Sequence, residues 1–165
     1  MQGLDQLIAL LKARELSLVT AESCTCGLMA SLLGDIPGCG AVLYGGFVVY
    51  DEEAKYRLIG VNRETVERFG LTSEEVAREM AIGALRVTGA RLAVSNTGVA
   101  DDSAEDASGT QCYAYALAGN DGTRVVSETV QFEGDRVAIR KQAARYGLEQ
   151  LMARYAELTV QRPLG

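Results

Sequence analysis

The strongest constraint on the fold is the alternation of helix-like and strand-like segments along the chain. Leucine and isoleucine recur at helical spacing from Leu4 to Arg14, and a helical period returns after Gly27. Short apolar runs that are typical of strands occupy residues 16–21, 41–50 and 91–97. Alternation of this kind predicts an α/β fold in which helices cover both faces of a sheet.

The second of these runs, from Ala41 to Tyr50, is rich in β-forming residues and predicts a buried strand despite Gly45 and Gly46. Asp51 is then predicted to open a short helix that carries Lys55.

Two further helix starts carry polar residues that are suited to capping. Asn62 is predicted to cap a short helix, because asparagine is a favoured N-cap residue. Thr72 and Glu75 form a capping-box pattern, which predicts a long helix over residues 73–88.

The last third of the chain predicts a hairpin followed by a helix. Alternating segments at residues 110–118 and 123–132 flank Gly119-Asn120-Asp121-Gly122, a strong two-residue turn signal. A final helix is predicted over residues 135–158.

Together these elements predict a three-layer α/β/α sandwich with a mixed, mostly parallel sheet that ends in an antiparallel hairpin. The length predicts a single domain over residues 1–165, with its core at about 4–158. In such folds ligands bind at the carboxyl ends of the parallel strands.

Charge and hydropathy limit the classes of partner that the chain is expected to bind. The formal net charge is -6, and the lysines and arginines are dispersed, which argues against nucleic-acid binding. No apolar run is long enough to cross a bilayer, and the start of the chain lacks the pattern of a secretion signal. We therefore expect a cytoplasmic protein with no membrane partner and with free thiols at its four cysteines. The sequence leaves a homo-oligomer open.

The chain contains no histidine. This absence excludes Ser-His and Cys-His catalysis, histidine-based metal sites and the commonest general base. Hydrolytic chemistry would have to use a carboxylate, a lysine, a thiolate or a metal bound by oxygen and sulfur. Lysines are few, and they are Lys12, Lys55 and Lys141.

Two segments contain candidate catalytic residues. Ser23 lies where the first strand turns into a helix, a geometry that exposes a side chain and points unpaired backbone N–H groups at a substrate. The alternative is that Ser23 is only an N-cap. Lys55 lies one turn into a helix after a strand, where burial would make it a base. The alternative is a solvated lysine paired with Asp51 at i,i+4.

Two further segments could bind a ligand. Small and hydroxyl residues at 95–98 and 108–110 suit a ligand loop, although they also suit ordinary turns. The segment from Phe132 to Arg136, continuing to Arg140, would place an arginine over a phosphate or simply cap the last helix through Asp135.

In order and in sequence, these segments resemble the CinA C-terminal domain family, the bacterial nicotinamide-nucleotide amidohydrolases. The resemblance covers residues 4–158, nearly the whole chain. It is carried by Ala21–Gly27, Gly45–Tyr50, Glu53–Lys55, Thr72–Ala81, Thr97–Gly98, Gly109–Thr110 and Phe132–Arg136.

The resemblance implies hydrolysis of nicotinamide mononucleotide to nicotinate mononucleotide and ammonia, with no metal and no cofactor. By position, Ser23 matches the nucleophile and Lys55 the base, with Tyr50 beside them as a further catalytic candidate. Backbone N–H groups around residues 25–27 would hold the oxyanion. The implied substrate-binding residues are Glu22, Thr25, Cys26, Gly27, Gly46, Thr97, Gly98, Arg136 and Arg140.

Two departures from the family pattern keep other functions open. Cys26 stands where the family has glycine, and an acidic loop containing Asp101, Asp102, Glu105 and Asp106 replaces a glycine-rich stretch. The acids would repel a phosphate. The alternatives are an amidase of the same mechanism with another small substrate, or a catalytically silent paralogue that binds a ligand or partner. A Cys-x-Cys site formed by Cys24 and Cys26 is a weaker hypothesis.

Overall fold

The computed structural model describes residues 3–101 and 107–164. The described part of the chain forms five strands and six α-helices. The strands are β1 (Leu18–Glu22), β2 (Leu43–Val48), β3 (Leu92–Gly98), β4 (Thr110–Gly119) and β5 (Gly122–Gln131). The helices are α1 (Leu4–Ala13), α2 (Leu28–Gly34), α3 (Glu52–Ile59), α4 (Arg63–Phe69), α5 (Glu74–Thr88) and α6 (Arg136–Val160).

The strands form one sheet in the order β2-β1-β3-β4-β5. The neighbours β2, β1 and β3 are parallel, whereas β4 is antiparallel to both β3 and β5. Four strands therefore run in one direction and β4 runs against them, which confirms the predicted mixed sheet with a terminal hairpin. Glu22 pairs with Val48 on one side and with Asn96 on the other, so β1 and β2 end at one level and β3 runs two residues further.

Each face of the sheet packs against its own group of helices. Leu18, Leu92 and Tyr113 lie in a core with buried residues of α1, α2 and α6. Their neighbours Val19 and Ala93 face the opposite side, in a core that includes α5. This alternation of side chains along buried strands gives the predicted three layers. None of the helices in the described part of the chain combines the length and hydropathy that a bilayer span requires.

The helix starts agree with the capping predictions except at α5. The side chains of Asp51, Asn62 and Asp135 accept hydrogen bonds from the first turns of α3, α4 and α6. The N-cap of α5 is Ser73, whose Oγ accepts from the N–H of Val76, and not Thr72. Serine and threonine are both common N-cap residues, and helix starts assigned from sequence are uncertain by one or two positions.

The prediction of a buried strand over residues 41–50 is wrong. β2 lies at the edge of the sheet, and its residues alternate between half-buried and exposed, with Tyr44 60% exposed. The register shifts between Leu18 and Val19, which pair with Leu43 and Gly45. An apolar run does not distinguish an edge strand from a central one, and glycine inside a strand is itself a signal of such an irregularity.

Candidate active site

The site begins at the turn between β1 and α2, over residues 23–27, which we call the nucleophile turn. Ser23 N–H donates to the carbonyl of Asn96 at 2.9 Å, and this bond extends the pairing of β1 with β3 by one residue. Ser23 is buried and lies at the level where the parallel strands end. The fold thus places this serine at the edge where ligands of α/β proteins bind.

The side chain of Glu22 holds the nucleophile turn in place through hydrogen bonds. Its fully buried carboxylate accepts from the hydroxyls of Thr20 at 2.9 Å and Thr25 at 2.8 Å. It also accepts from the N–H groups of Met29 at 2.8 Å and Ala30 at 3.0 Å, in the first turn of α2. An anion at a helix N-terminus is stabilised by the free N–H groups there. The structure therefore gives Glu22 a structural role rather than the predicted contact with substrate.

Lys55 reaches Ser23 from α3. Its side chain is 1% exposed, and Nζ lies 3.0 Å from Ser23 Oγ. The same nitrogen donates to the carbonyl of Val49 at 2.8 Å and of Tyr50 at 3.1 Å. The two side chains that the resemblance matches to the nucleophile and the base therefore lie within hydrogen-bond reach of each other. A neutral amine has two N–H donors and one lone pair, so the carbonyls can take both donors while the lone pair faces the serine hydroxyl.

The surroundings of Lys55 make this neutral form more accessible than it is in a solvated lysine. Burial lowers the pKa of the Lys55 ammonium to about 8, although the charges of Asp51 and Glu52 act in the opposite direction. Asp51 turns instead to the backbone, where it accepts from Glu53 N–H at 2.8 Å. The alternative of a solvated lysine paired with Asp51 is therefore wrong, because Lys55 is buried and Asp51 caps the helix.

A pocket of about 380 Å³ opens above the Ser23–Lys55 pair. Of the residues that sequence reasoning selected, the structure brings six to its wall: Ser23, Tyr50, Lys55, Thr97, Gly98 and Arg136. It adds others that were not predicted to bind substrate, among them Cys24 and Thr72. Leu71, Val99 and Ala100 give the pocket an apolar side. An apolar wall next to a few polar groups suits a small aromatic or aliphatic amide.

Cys24 follows Ser23 and lines the same pocket, so its thiol is a competing nucleophile. Burial raises the pKa of this thiol, with hydrogen bonding to Gln111 opposing the change. A thiol held protonated is a poor nucleophile, which favours Ser23. Cys26 is exposed and outside the pocket wall, so the two thiols lie in different surroundings.

Arg136 spans the mouth of the pocket. Its guanidinium donates to the hydroxyl of Tyr50 at 2.8 Å and to the carboxylate of Asp101 at 2.7 Å. Tyr50 is 53% exposed, and its backbone carbonyl, not its ring, contacts Lys55. The other three acids of the predicted acidic loop, Asp102, Glu105 and Asp106, lie outside the described residues.

Arg140 does not face the pocket, contrary to its predicted role in substrate binding. Its guanidinium donates to the carbonyl of Cys24 at 2.9 Å and of Thr25 at 3.3 Å. These bonds tie the nucleophile turn to α6. Arg140 therefore holds the turn in place. A phosphate would have to compete with the two backbone carbonyls for the Arg140 guanidinium.

The amides of the turn differ from the prediction that residues 25–27 hold an oxyanion. Thr25 N–H donates to the side chain of Asn96 at 3.1 Å, and Cys26 N–H donates to the carbonyl of Ser23 at 3.1 Å. Cys24 and Gly27 remain, and of these two Cys24 lines the pocket. The Cys24 amide is therefore the better candidate donor to an oxyanion on a substrate attacked by Ser23.

Of the three glycines predicted to bind substrate, Gly98 lies on the pocket wall, whereas Gly27 and Gly46 do not. Gly46 lies outside the pocket wall, and a Cβ there would come within 2.5 Å of Thr20 Oγ1, so close packing on β1 explains the glycine. Gly98 lines the pocket but also makes room for the Gln111 side chain, since a Cβ would lie 2.3 Å from it. Gly27 has a φ of 90° at the start of α2 and lies outside the pocket wall.

Cys26 adopts a φ of 48°, in the left-handed region that disfavours side chains with a Cβ. We expect Cys26→Gly to stabilise the protein by about 0.5–1 kcal/mol, since relief of ~1–2 kcal/mol of strain is partly offset by glycine's entropy. The melting temperature would rise by about 1–4 °C in calorimetry. Cys26→Ala retains the Cβ and should give no such gain, so an equal gain from both would contradict the explanation.

Two buried amide side chains support the nucleophile turn: Asn96, which lies in the predicted ligand segment 95–98, and Gln111, which sequence reasoning missed. Asn96 and Gln111 are fully buried at the ends of β3 and β4, and Asn96 Nδ2 donates to Gln111 Oε1 at 2.8 Å. A signal was present, because amide side chains are rarely placed in apolar strands without a partner. The pattern gives no indication of which groups they contact.

The site is thus a buried serine–lysine pair at the carboxyl edge of a mixed α/β sheet. The model of the CinA C-terminal domain family matches residues 2–155. The nicotinamide-nucleotide amidohydrolase PncC of Escherichia coli strain K12 is 42% identical over 162 residues, 96% of each chain. The protein of the same name from Enterobacter agglomerans is 45% identical over 144 residues, 86% of each chain.

Solved structures agree with the sequence comparison. The crystal structure of the competence/damage inducible protein CihA from Agrobacterium tumefaciens superimposes with a TM-score of 0.85 at 36% identity, covering 92% of this chain and 93% of that one. The chain belongs to the CinA C-terminal domain family.

Proposed function

We propose that the chain hydrolyses the carboxamide of nicotinamide mononucleotide to the carboxylate and ammonia, with Ser23 as nucleophile and Lys55 as general base. That it is an amidohydrolase rests on the names of relatives with 42% and 45% identity. The mechanism rests on one observation, the 3.0 Å separation of Lys55 Nζ and Ser23 Oγ in a buried site.

The reaction would proceed by acyl transfer. Neutral Lys55 takes the proton of Ser23 as Oγ forms a bond to the carboxamide carbon, and the Cys24 N–H donates to the resulting oxyanion. The Lys55 ammonium then protonates the leaving nitrogen, so the C–N bond breaks and ammonia departs. Water attacks the acyl ester and gives a proton to Lys55. The ester C–O bond then breaks as Lys55 returns that proton to Ser23 Oγ, which releases the acid and restores both side chains.

The phosphate of a mononucleotide would bind at the mouth of the pocket, next to Arg136. Among the described residues, the pocket wall carries two cationic side chains, Lys55 and Arg136. Arg136 already has an anionic partner in Asp101, at 2.7 Å. This ion pair is the observation that favours the alternative substrate, a carboxamide without a phosphate. The silent-paralogue alternative is disfavoured by burial of Lys55, because a buried amine costs stability and persists where it is used.

The proposal is tested by ammonia release from nicotinamide mononucleotide, nicotinamide riboside, nicotinamide and simple amides. Ser23→Ala should reduce turnover to background, whereas Ser31→Ala, an exposed serine on the following helix, should not change it. Release from the mononucleotide by wild type but equally by Ser23→Ala would exclude the mechanism. Release from none of the amides by wild type would favour the silent paralogue.

The Asp101–Arg136 pair yields a specific prediction. Asp101→Asn should lower KM for nicotinamide mononucleotide by about 2–5-fold, because an exposed ion pair contributes at most ~1 kcal/mol. The effect should be largest at low salt, where screening is weakest. KM for the riboside should not change, since it has no phosphate to compete for Arg136. An equal change for both substrates would show that Asp101 acts on the pocket's shape and not on its charge.

A further inference from the structure

The nucleophile turn rests on a chain of buried amides. Asn96 Oδ1 accepts from Thr25 N–H at 3.1 Å, and Asn96 Nδ2 donates to Gln111 Oε1 at 2.8 Å. Gln111 Nε2 then donates to the carbonyl of Val99 at 3.1 Å and contacts Cys24 Sγ at 3.5 Å. Both amide side chains are fully buried.

The two ends of this chain fix its direction. Thr25 N–H can only donate, so the atom of Asn96 that faces it must be the oxygen. The carbonyl of Val99 can only accept, so the atom of Gln111 that faces it must be the nitrogen. Neither amide can flip without leaving a buried donor facing a donor, or an acceptor facing an acceptor, which makes the arrangement a single rigid state.

We propose that Gln111 is a positioning residue that fixes the nucleophile turn and the adjacent pocket wall for attack by Ser23. This inference rests on the proposed function. It acts through Asn96 on Thr25 and directly on Cys24 and Val99. Cys24 and Val99 both line the pocket, so these contacts reach its wall directly.

The position of Gln111 explains why its effect should exceed that of an ordinary buried hydrogen bond. It lies in β4, next to β3, whereas Ser23 belongs to the turn after β1, so Gln111 links the turn to a strand two places away in the sheet. A displacement of about 1 Å at the reacting atoms can cost roughly 10²-fold in rate. Loss of the link would let the turn shift by that order without unfolding the sheet.

The first test is Gln111→Met, which has similar length but no hydrogen-bonding group. We expect kcat on nicotinamide mononucleotide to fall by about 10–10²-fold, with KM changed by less than about 3-fold. The matched control is Ser95→Ala. Ser95 is equally buried, next to Asn96, and its hydroxyl donates to Ala77 O at 2.6 Å on the face away from the nucleophile turn. It should lower the melting temperature and leave kcat unchanged.

A double-mutant cycle separates positioning from general destabilisation. Asn96→Ser removes the bonds to Thr25 and to Gln111 but leaves the contacts of Gln111 with Cys24 and Val99. Gln111→Met should therefore lower kcat by a smaller factor in the Asn96→Ser background than in wild type. If Gln111→Met does not fold, Asn96→Ser alone tests whether loss of the buried amide chain lowers kcat. A kcat of Gln111→Met within about 2-fold of wild type, full additivity in the cycle, or an equal loss in Ser95→Ala would each overturn the proposal.

A second readout does not depend on the substrate. A phosphonofluoridate probe that reacts with activated serines should modify Ser23, detected by mass spectrometry, about 10-fold or more slowly in Gln111→Met. If wild type releases no ammonia from the mononucleotide, the proposed function fails, and the labelling rates alone decide this inference. Equal rates in wild type and Gln111→Met would then reject it.

Discussion

Lys55→Met is expected to remove amidase activity and, at the same time, to raise the melting temperature. Loss of the base should reduce kcat by about 10²–10⁴-fold. Burial lowers the pKa of Lys55 from 10.5 to about 8, and this shift corresponds to roughly 3 kcal/mol of penalty for the buried ammonium. Methionine removes the penalty but leaves the carbonyls of Val49 and Tyr50 without a donor, so we expect a net gain of about 1–2 kcal/mol.

The pH dependence of this gain follows from linkage. The pKa of Lys55 is lower in the folded protein than in the unfolded chain, so between pH ~8 and ~10.5 the unfolded chain binds more protons. Wild-type stability should therefore rise with pH across that range. The advantage of Lys55→Met is fully present below pH ~8 and is lost as pH approaches 10.5. Calorimetry at pH 7 and pH 10 measures the difference.

The same pKa predicts how wild-type activity depends on pH. Only the neutral amine accepts a proton, so kcat/KM should increase through pH ~8 and level off above it. Lys141→Met is the control for both measurements, because Lys141 is exposed on α6. A flat pH profile, or a Lys55→Met variant that retains turnover, would falsify the assignment of Lys55 as base.

The fold could be predicted from the sequence because period and turn chemistry determine it. The helical spacing after Leu4, the Gly119–Gly122 hairpin signal and the N-cap at Asp135 each correspond to one local backbone geometry. The sequence does not distinguish an edge from a centre strand, which is why β2 was predicted to be buried. Whether a strand is central or at the edge depends on which strands pair with it on each side, and this pairing is a property of the whole sheet.

The position of the candidate site could be predicted from the sequence, whereas the roles of several of its residues could not. The order of motifs identified Ser23 and Lys55, and the structure brings these two side chains together. Glu22 and Arg140 belong to the same motifs, yet they bond to the backbone of the nucleophile turn and not to the pocket. A motif marks residues that must be present, whereas the direction of each side chain is set by neighbours distant in the sequence. Gln111 lies 87 positions from Cys24, which it contacts.

Glu22 should be the most sensitive polar residue for stability. Its carboxylate is fully buried and accepts four hydrogen bonds, two of them from backbone N–H groups at the start of α2. Glu22→Gln places an NH₂ group against one of those backbone donors, Met29 or Ala30, whichever way the amide turns. A hydroxyl can rotate to accept from an amide, but a backbone N–H cannot.

We therefore expect Glu22→Gln to destabilise the protein by about 2–4 kcal/mol, since one charge-assisted bond is lost and a buried donor is left unpaired. In a chain of this length the melting temperature should fall by about 4–16 °C in thermal unfolding followed by circular dichroism. Glu67→Gln is the matched control, because Glu67 is exposed on α4, and a surface change of this kind should stay within about 0.5 kcal/mol. If the two variants melted together, the Glu22 carboxylate would not be what holds the nucleophile turn to α2.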